Sequence, residues 1–118
     1  MKTNDIALCV ALLGLPSAAL AADTVLQGRL AGETGNLTAC LAMAPQFERE
    51  HTVTVSDKGV MLTAPGGLSA RLDPVRPDVY RTTEELSGQR FEYEMDLASK
   101  TLTVRGNNLG CKWSGKFR

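Results

Sequence analysis

The chain has 118 residues, and its 13 Lys and Arg are balanced by 13 Asp and Glu. That balance removes the global basic excess on which nucleic-acid binding depends, and there is no polybasic tail for an anionic membrane. Aromatic residues are 5 % of the chain, too few for a large platform that would stack an aromatic ligand.

The first segment reads as a cleavable secretory signal peptide over residues 1–21. Lys2 and the terminal amine form a short positive region, partly offset by Asp5. An apolar run over residues 6–20 follows, broken by Gly14, Pro16 and Ser17. Ala19-Leu20-Ala21 is then the small-x-small pattern of a cleavage site. The run falls short of the roughly 20 apolar residues that span a bilayer. Gly14 and Pro16 also weaken a continuous helix, so a transport address is expected rather than an anchor. Cys9 lies inside the run, not just after it, which excludes a lipoprotein. The Ala-rich character is bacterial in style and implies a periplasmic or secreted protein. Residues 22–118 are then one small domain with a marginal core.

Three cysteines are encoded, and Cys9 leaves with the signal. Cys40 and Cys111 remain as an even pair in an oxidising compartment, so a disulfide between them is expected. The C-x-x-C spacing of a redox pair is absent.

Residues 24–30 alternate weakly, with Leu26 and Leu30 on one face. Residues 33–36 form a turn. Residues 37–43 are ambiguous. As a strand they align Leu37, Ala39, Leu41 and Met43; as a short helix they group Leu37, Cys40, Leu41 and Ala44. The β-rich surroundings favour the strand. Pro45 ends the segment, and residues 46–50 read as an exposed connection. Residues 51–56 are a strand with Val53 and Val55 on one face. Asp57-Lys58-Gly59 turns, with Gly at the position that tolerates positive φ. Residues 60–64 return, and Pro65-Gly66-Gly67 turns again. Leu68, Ala70 and Leu72 alternate with polar residues. Residues 73–78 contain two prolines and read as a loop or strand switch, followed by a short strand over 79–82.

The last third carries the strongest pattern. Phe91, Tyr93, Met95 and Leu97 alternate with Glu92, Glu94 and Asp96. Leu102 and Val104 alternate with Thr101, Thr103 and Arg105. Cys111, Trp113, Gly115 and Phe117 alternate with Lys112, Ser114, Lys116 and Arg118. Strict alternation buries one face of each strand and wets the other. Seven or eight short strands with regular turns predict an all-β fold, a small antiparallel β-sandwich or β-barrel. Cys111 shares its face with Trp113 and Phe117, which places the disulfide in the core.

Catalytic patterns are lacking. His51 follows Glu48-Arg49-Glu50, but that spacing is not a metal-ligand pattern, and a solvated strand entrance is expected instead. No serine lies in a nucleophile elbow. Glu84 with Glu85, and the stripe Glu92, Glu94 and Asp96, are neighbours on one element rather than carboxyls facing across a cleft. No enzymatic activity, cofactor or metal is therefore expected.

Charge is segregated instead. Residues 84–96 hold five acids and one base, Arg90; residues 97–118 hold five bases and no acid. Adjacent strands would turn this into a cross-strand ladder of opposite charge. Separated strands would leave a basic stripe for an acidic partner.

Ser87-Gly88-Gln89-Arg90-Phe91 resembles the Ser-Gly-x-x-Tyr loop of periplasmic lysozyme inhibitors. Arg105-Gly106 stands where that family tends to have Lys-Gly. Phe91 replaces the Tyr, and the aromatic before Lys-Gly is absent. The resemblance covers a few residues and implies a small exported β-barrel with a disulfide. Together these readings predict a non-enzymatic binding or inhibitor-like module. Ser87, Gly88, Arg90, Arg105, Lys112 and Lys116 are its candidate binding residues, and another protein or a cell-envelope component its partner. A structural or assembly role in the envelope is the alternative.

Overall fold

The computed structural model describes residues 23–33, 38–42, 44–86, 88–106 and 110–118. The signal-peptide reading of residues 1–21 lies outside these. Among the described residues nine strands form one antiparallel sheet: β1 (Thr24–Arg29), β2 (Ala31–Gly32), β3 (Glu50–Ser56), β4 (Gly59–Thr63), β5 (Ser69–Arg76), β6 (Val79–Leu86), β7 (Gln89–Asp96), β8 (Thr101–Gly106) and β9 (Lys112–Lys116). A 3-10 turn (Thr38–Ala42) and a one-turn helix α1 (Ala44–Phe47) lie between β2 and β3. No helix among the described residues is long and apolar enough to cross a membrane.

The order β1-β3-β4-β5-β6-β7-β8-β9-β2 is a meander. β1 and β2 are two halves of one strand, interrupted at Leu30, and they grip opposite neighbours. β1 pairs with β3, while β2 pairs with β9. Gln27 and Arg118 exchange both backbone hydrogen bonds, at 2.9 and 3.0 Å. The sheet thereby curls into a nearly closed barrel, which decides between sandwich and barrel. Two glycines permit the closure. A Cβ on Gly115 would collide with the Arg29 carbonyl, and one on Gly28 would come within 2.7 Å of the Lys116 carbonyl oxygen. Real side chains do not tolerate such approaches, so the backbones cross closely only because these positions are bare.

The interior follows the period-two pattern. Leu26, Val53, Val60, Leu62, Leu72, Phe91, Tyr93, Met95, Leu102, Val104, Trp113 and Phe117 are all buried. Cys40 and Cys111 are joined, as expected, and both are buried.

Two expectations are corrected. Residues 38–42 are a 3-10 turn rather than a strand. Their Ala and Leu content favours helix, and the turn directs Cys40 to Cys111 without a ladder partner. The 46–50 connection is not wholly exposed, because Phe47 is buried at the centre of an aromatic cluster. Its ring centroid lies 4.4 Å from Trp113, 5.1 Å from Phe91 and 6.3 Å from Tyr93. Of the two readings of the proline-bearing stretch 73–78, loop or strand switch, the structure gives the switch: β5 runs on through Pro74, its partner changes from β4 to β6 at Asp73, and its register with β6 shifts between Pro74 and Arg76. A bulge accommodates the missing N–H of Pro74. The hairpin turns at Asp78, whose φ is +65°.

Candidate functional site

A meander puts alternate loops at alternate barrel ends. The β4–β5, β6–β7 and β8–β9 connections share one end with the start of β3. The segment between β2 and β3 spans that same end and caps it. The disulfide ties this cap to the residue before β9, and the Leu30 N–H donates to the Phe47 carbonyl at 3.3 Å. Leu41 and Leu68 remain 61 % and 49 % exposed here, large apolar side chains left at the surface.

The barrel wall parts at this end. The first half of β5 pairs with β4, through Ser69, Ala70, Arg71 and Leu72. Only its second half pairs with β6, from Asp73 onward. The end of β6 keeps its ladder to β7 alone, from Thr82 to Leu86. A pocket of about 90 Å³ lies at this parting. Gln46, Phe47 and Arg49 come from the cap, His51 from β3, Ala64, Pro65 and Leu68 from the β4–β5 turn, and Leu86 and Tyr93 from β6 and β7.

His51 is 1 % exposed, which corrects the expectation of a solvated strand entrance. It shares the inward face with Val53 and Val55, two and four residues on. Its Nδ1–H donates to the Arg49 carbonyl at 2.8 Å. Burial pulls its pKa below the usual imidazole value and outweighs that bond, which acts in the opposite direction. Burial pushes the Tyr93 hydroxyl up to about 12, with the nearby Glu84 carboxylate adding to the effect. No group of three or more His, Cys, Asp or Glu among the described residues is placed to hold a metal ion.

The structure brings together most of the candidate binding residues. Gly88 sits exposed at the β6–β7 tip with φ of +76°. Arg90 is two residues further and lies 3.9 Å from Glu85 across the hairpin. Arg105, at the end of β8, faces Glu92 on one side and Lys112 on the other. Gly106 pairs with Phe91, so the two short motifs stand side by side. Ser87 lies outside the described residues. Lys116 is at the opposite barrel end, where its Nζ donates to the Ser99 carbonyl at 3.4 Å. Phe91 faces the core rather than solvent.

The acidic and basic strands are indeed neighbours, β7 beside β8 and β8 beside β9. Yet the ion pairs run the other way. Arg81 of β6 reaches Glu94 at 2.9 Å and Glu92 at 3.0 Å, and Arg76 lies 3.8 Å from Glu94. The Glu92 contact is Coulombic, because Arg81 Nε finds no hydrogen-bond geometry. These bonds raise the Arg81 pKa, the Glu94 hydrogen bond foremost. Sequence reasoning missed Phe47 and Tyr93 as site-forming residues, and it missed the ion pairs of Arg81. The parity of Tyr93 with Phe91 marked it as inward, but not as lining a pocket. No protein-family model matches this chain, and no curated protein or solved structure matches it.

Proposed function

We propose that this chain is a small exported, non-enzymatic binding module of the inhibitor kind, which engages a protein partner through its capped barrel end. The observation that carries this reading is convergence. Gly88, Arg90, Arg105 and Lys112 lie on or next to the neighbouring strands β7, β8 and β9 at one barrel end, the end that also exposes Leu41 and Leu68. Mixed apolar and cationic character on a rigid support is what a protein-binding surface requires. The disulfide holds that surface in one shape, and an oxidised pair buried in the core accords with an extracytoplasmic site of action. Preorganisation of this kind favours affinity by reducing the ordering cost on binding.

The inhibitor element draws on the adjacency of the two short motifs at this end. With Phe91 turned inward, contact there falls to Gly88, Arg90 and Arg105. Assembly by strand addition needs a free edge, and this sheet offers one only over the short parted ends of β5 and β6. The experiment is lysozyme inhibition at micromolar protein, alongside capture of partners from the extracytoplasmic compartment. Capture that is lost on the double change Arg90→Glu and Arg105→Glu supports the reading. Capture unaffected by that change, with no inhibition, removes it.

A further inference from the structure

The pocket at the parted wall contains polar groups that the fold leaves unused. The Nδ1–H of His51 is committed to the Arg49 carbonyl. A carbonyl only accepts, so Nδ1 holds the proton and Nε2 of the neutral ring is an acceptor. Among the described residues no protein group bonds Nε2, and none bonds the Tyr93 hydroxyl. Neither atom is sealed in the core, because the wholly enclosed side-chain atom without a partner is Arg81 Nε. Both residues are buried, and both line this one pocket. Both atoms are therefore open to an incoming group, and an acceptor and a donor beside the apolar surface of Phe47, Leu68 and Leu86 in one concave site are what a small ligand uses.

We infer that the pocket binds a small neutral carboxamide, whose N–H donates to His51 Nε2, whose carbonyl accepts from the Tyr93 hydroxyl, and whose short apolar substituent packs on Phe47, Leu68 and Leu86. The inference rests on the binding-module reading and gives it a ligand chemistry. The volume of about 90 Å³ matches about three waters, room for a group of four or five heavy atoms. At these two atoms a carboxylate fits worse, since it has no hydrogen for Nε2 and Glu84 already stands near Tyr93; Arg49 in the lining favours an anion, which makes acetate the decisive competitor. A lone hydroxyl offers donor and acceptor from one atom and leaves the apolar walls uncovered. Carboxamides of this size occur as the acetamido group of an amino sugar and as the side chain of Asn or Gln in a protein.

The test is amide and imidazole NMR of the disulfide-bonded protein, titrated separately with acetamide, acetate and ethanol. Acetamide should shift the resonances of His51, Leu68, Leu86 and Tyr93, while acetate and ethanol should not. Tyr93→Phe keeps the ring and the core, and should weaken acetamide binding about tenfold, the loss of one hydrogen bond. N-acetylglucosamine, and the peptide Gly-Gln-Gly against Gly-Glu-Gly, then separate the two sources. Absence of shifts with acetamide overturns the inference. So does an equal response to acetate or ethanol, or unchanged affinity in Tyr93→Phe. If acetamide fails while partner capture still depends on Arg90 and Arg105, this inference falls and the binding-module reading stands.

Discussion

The ring of Phe47 lies 4.4 Å from that of Trp113, so the one-turn helix α1 is pinned to the last strand of the barrel. The same cap is bonded to the same strand's entrance through Cys40 and Cys111. One attachment is packing and the other covalent, and they can be removed separately. Phe47→Ala leaves a cavity among Phe91, Tyr93 and Trp113, all of them buried. We expect a loss of about 3–5 kcal/mol in denaturant-midpoint stability, the range for truncating a core aromatic. Tryptophan fluorescence gives the readout, because Trp113 is the single tryptophan.

Cys40→Ser with Cys111→Ser tests the covalent attachment. The bond closes a loop across a sequence separation of 71. The chain-entropy model then predicts a loss of about 4 kcal/mol. That is close to the whole margin of a small domain. The expected outcome is a large fall in Tm that reductant reproduces in the native protein. A change within error would mean that packing of the cap alone suffices.

Gly115 sits where β9 passes β1, and the obstacle there is backbone, the Arg29 carbonyl. A flexible side chain could move aside; a carbonyl in the closing strand cannot without breaking the ladder. Gly115→Ala should therefore cost about 3 kcal/mol or more, at the upper end for overpacking. Hydrogen exchange should locate the damage at the β1–β9 contact, with the Gln27 and Arg118 amides losing protection first. Equal loss throughout the barrel would argue for global rather than seam-specific weakening.

How much of this was legible in the sequence depended on whether a residue followed the period of its neighbours. Phe91, Tyr93 and Met95, or Leu102 and Val104, alternate with charged and hydroxyl residues, and their inward faces could be read directly. His51 keeps the same parity as Val53 and Val55, but its polarity suggested solvent, and only the pocket behind it explains its burial. Phe47 is isolated between Gln46 and Glu48, so no repeat marks it as core. Pro45 suggested an end, yet it sits in the first turn of α1, where its missing N–H costs nothing. The approach of the cap to the barrel is a long-range contact, and local pattern is silent about it. The same holds for the parting of β5 from β6, which arises from a change of partner along one strand. Arg81 was overlooked because its two carboxylates lie on the next strand, across a register that only the folded hairpin defines.

The pocket also gives the fold a dependence on acid. Burial holds the folded-state pKa of His51 below its unfolded value of about 6.5. The unfolded chain therefore binds this proton more readily than the folded one, and stability rises with pH through that interval. Above about pH 6.5 both states are neutral at this site, and the full stability is present. As pH falls below that, protonation draws the equilibrium toward the unfolded chain. The hydrogen bond to the Arg49 carbonyl opposes the effect without cancelling it, Tyr93 stays neutral in this range, and no carboxylate lines the pocket. Denaturant midpoints measured between pH 7.5 and 5 should fall with acid in the native protein. In His51→Phe the slope attributable to this group should vanish, while the remaining carboxylates titrate as before. A native slope identical to that of His51→Phe would show that the buried ring accepts a proton without cost, and the acid dependence assigned to its burial would fall.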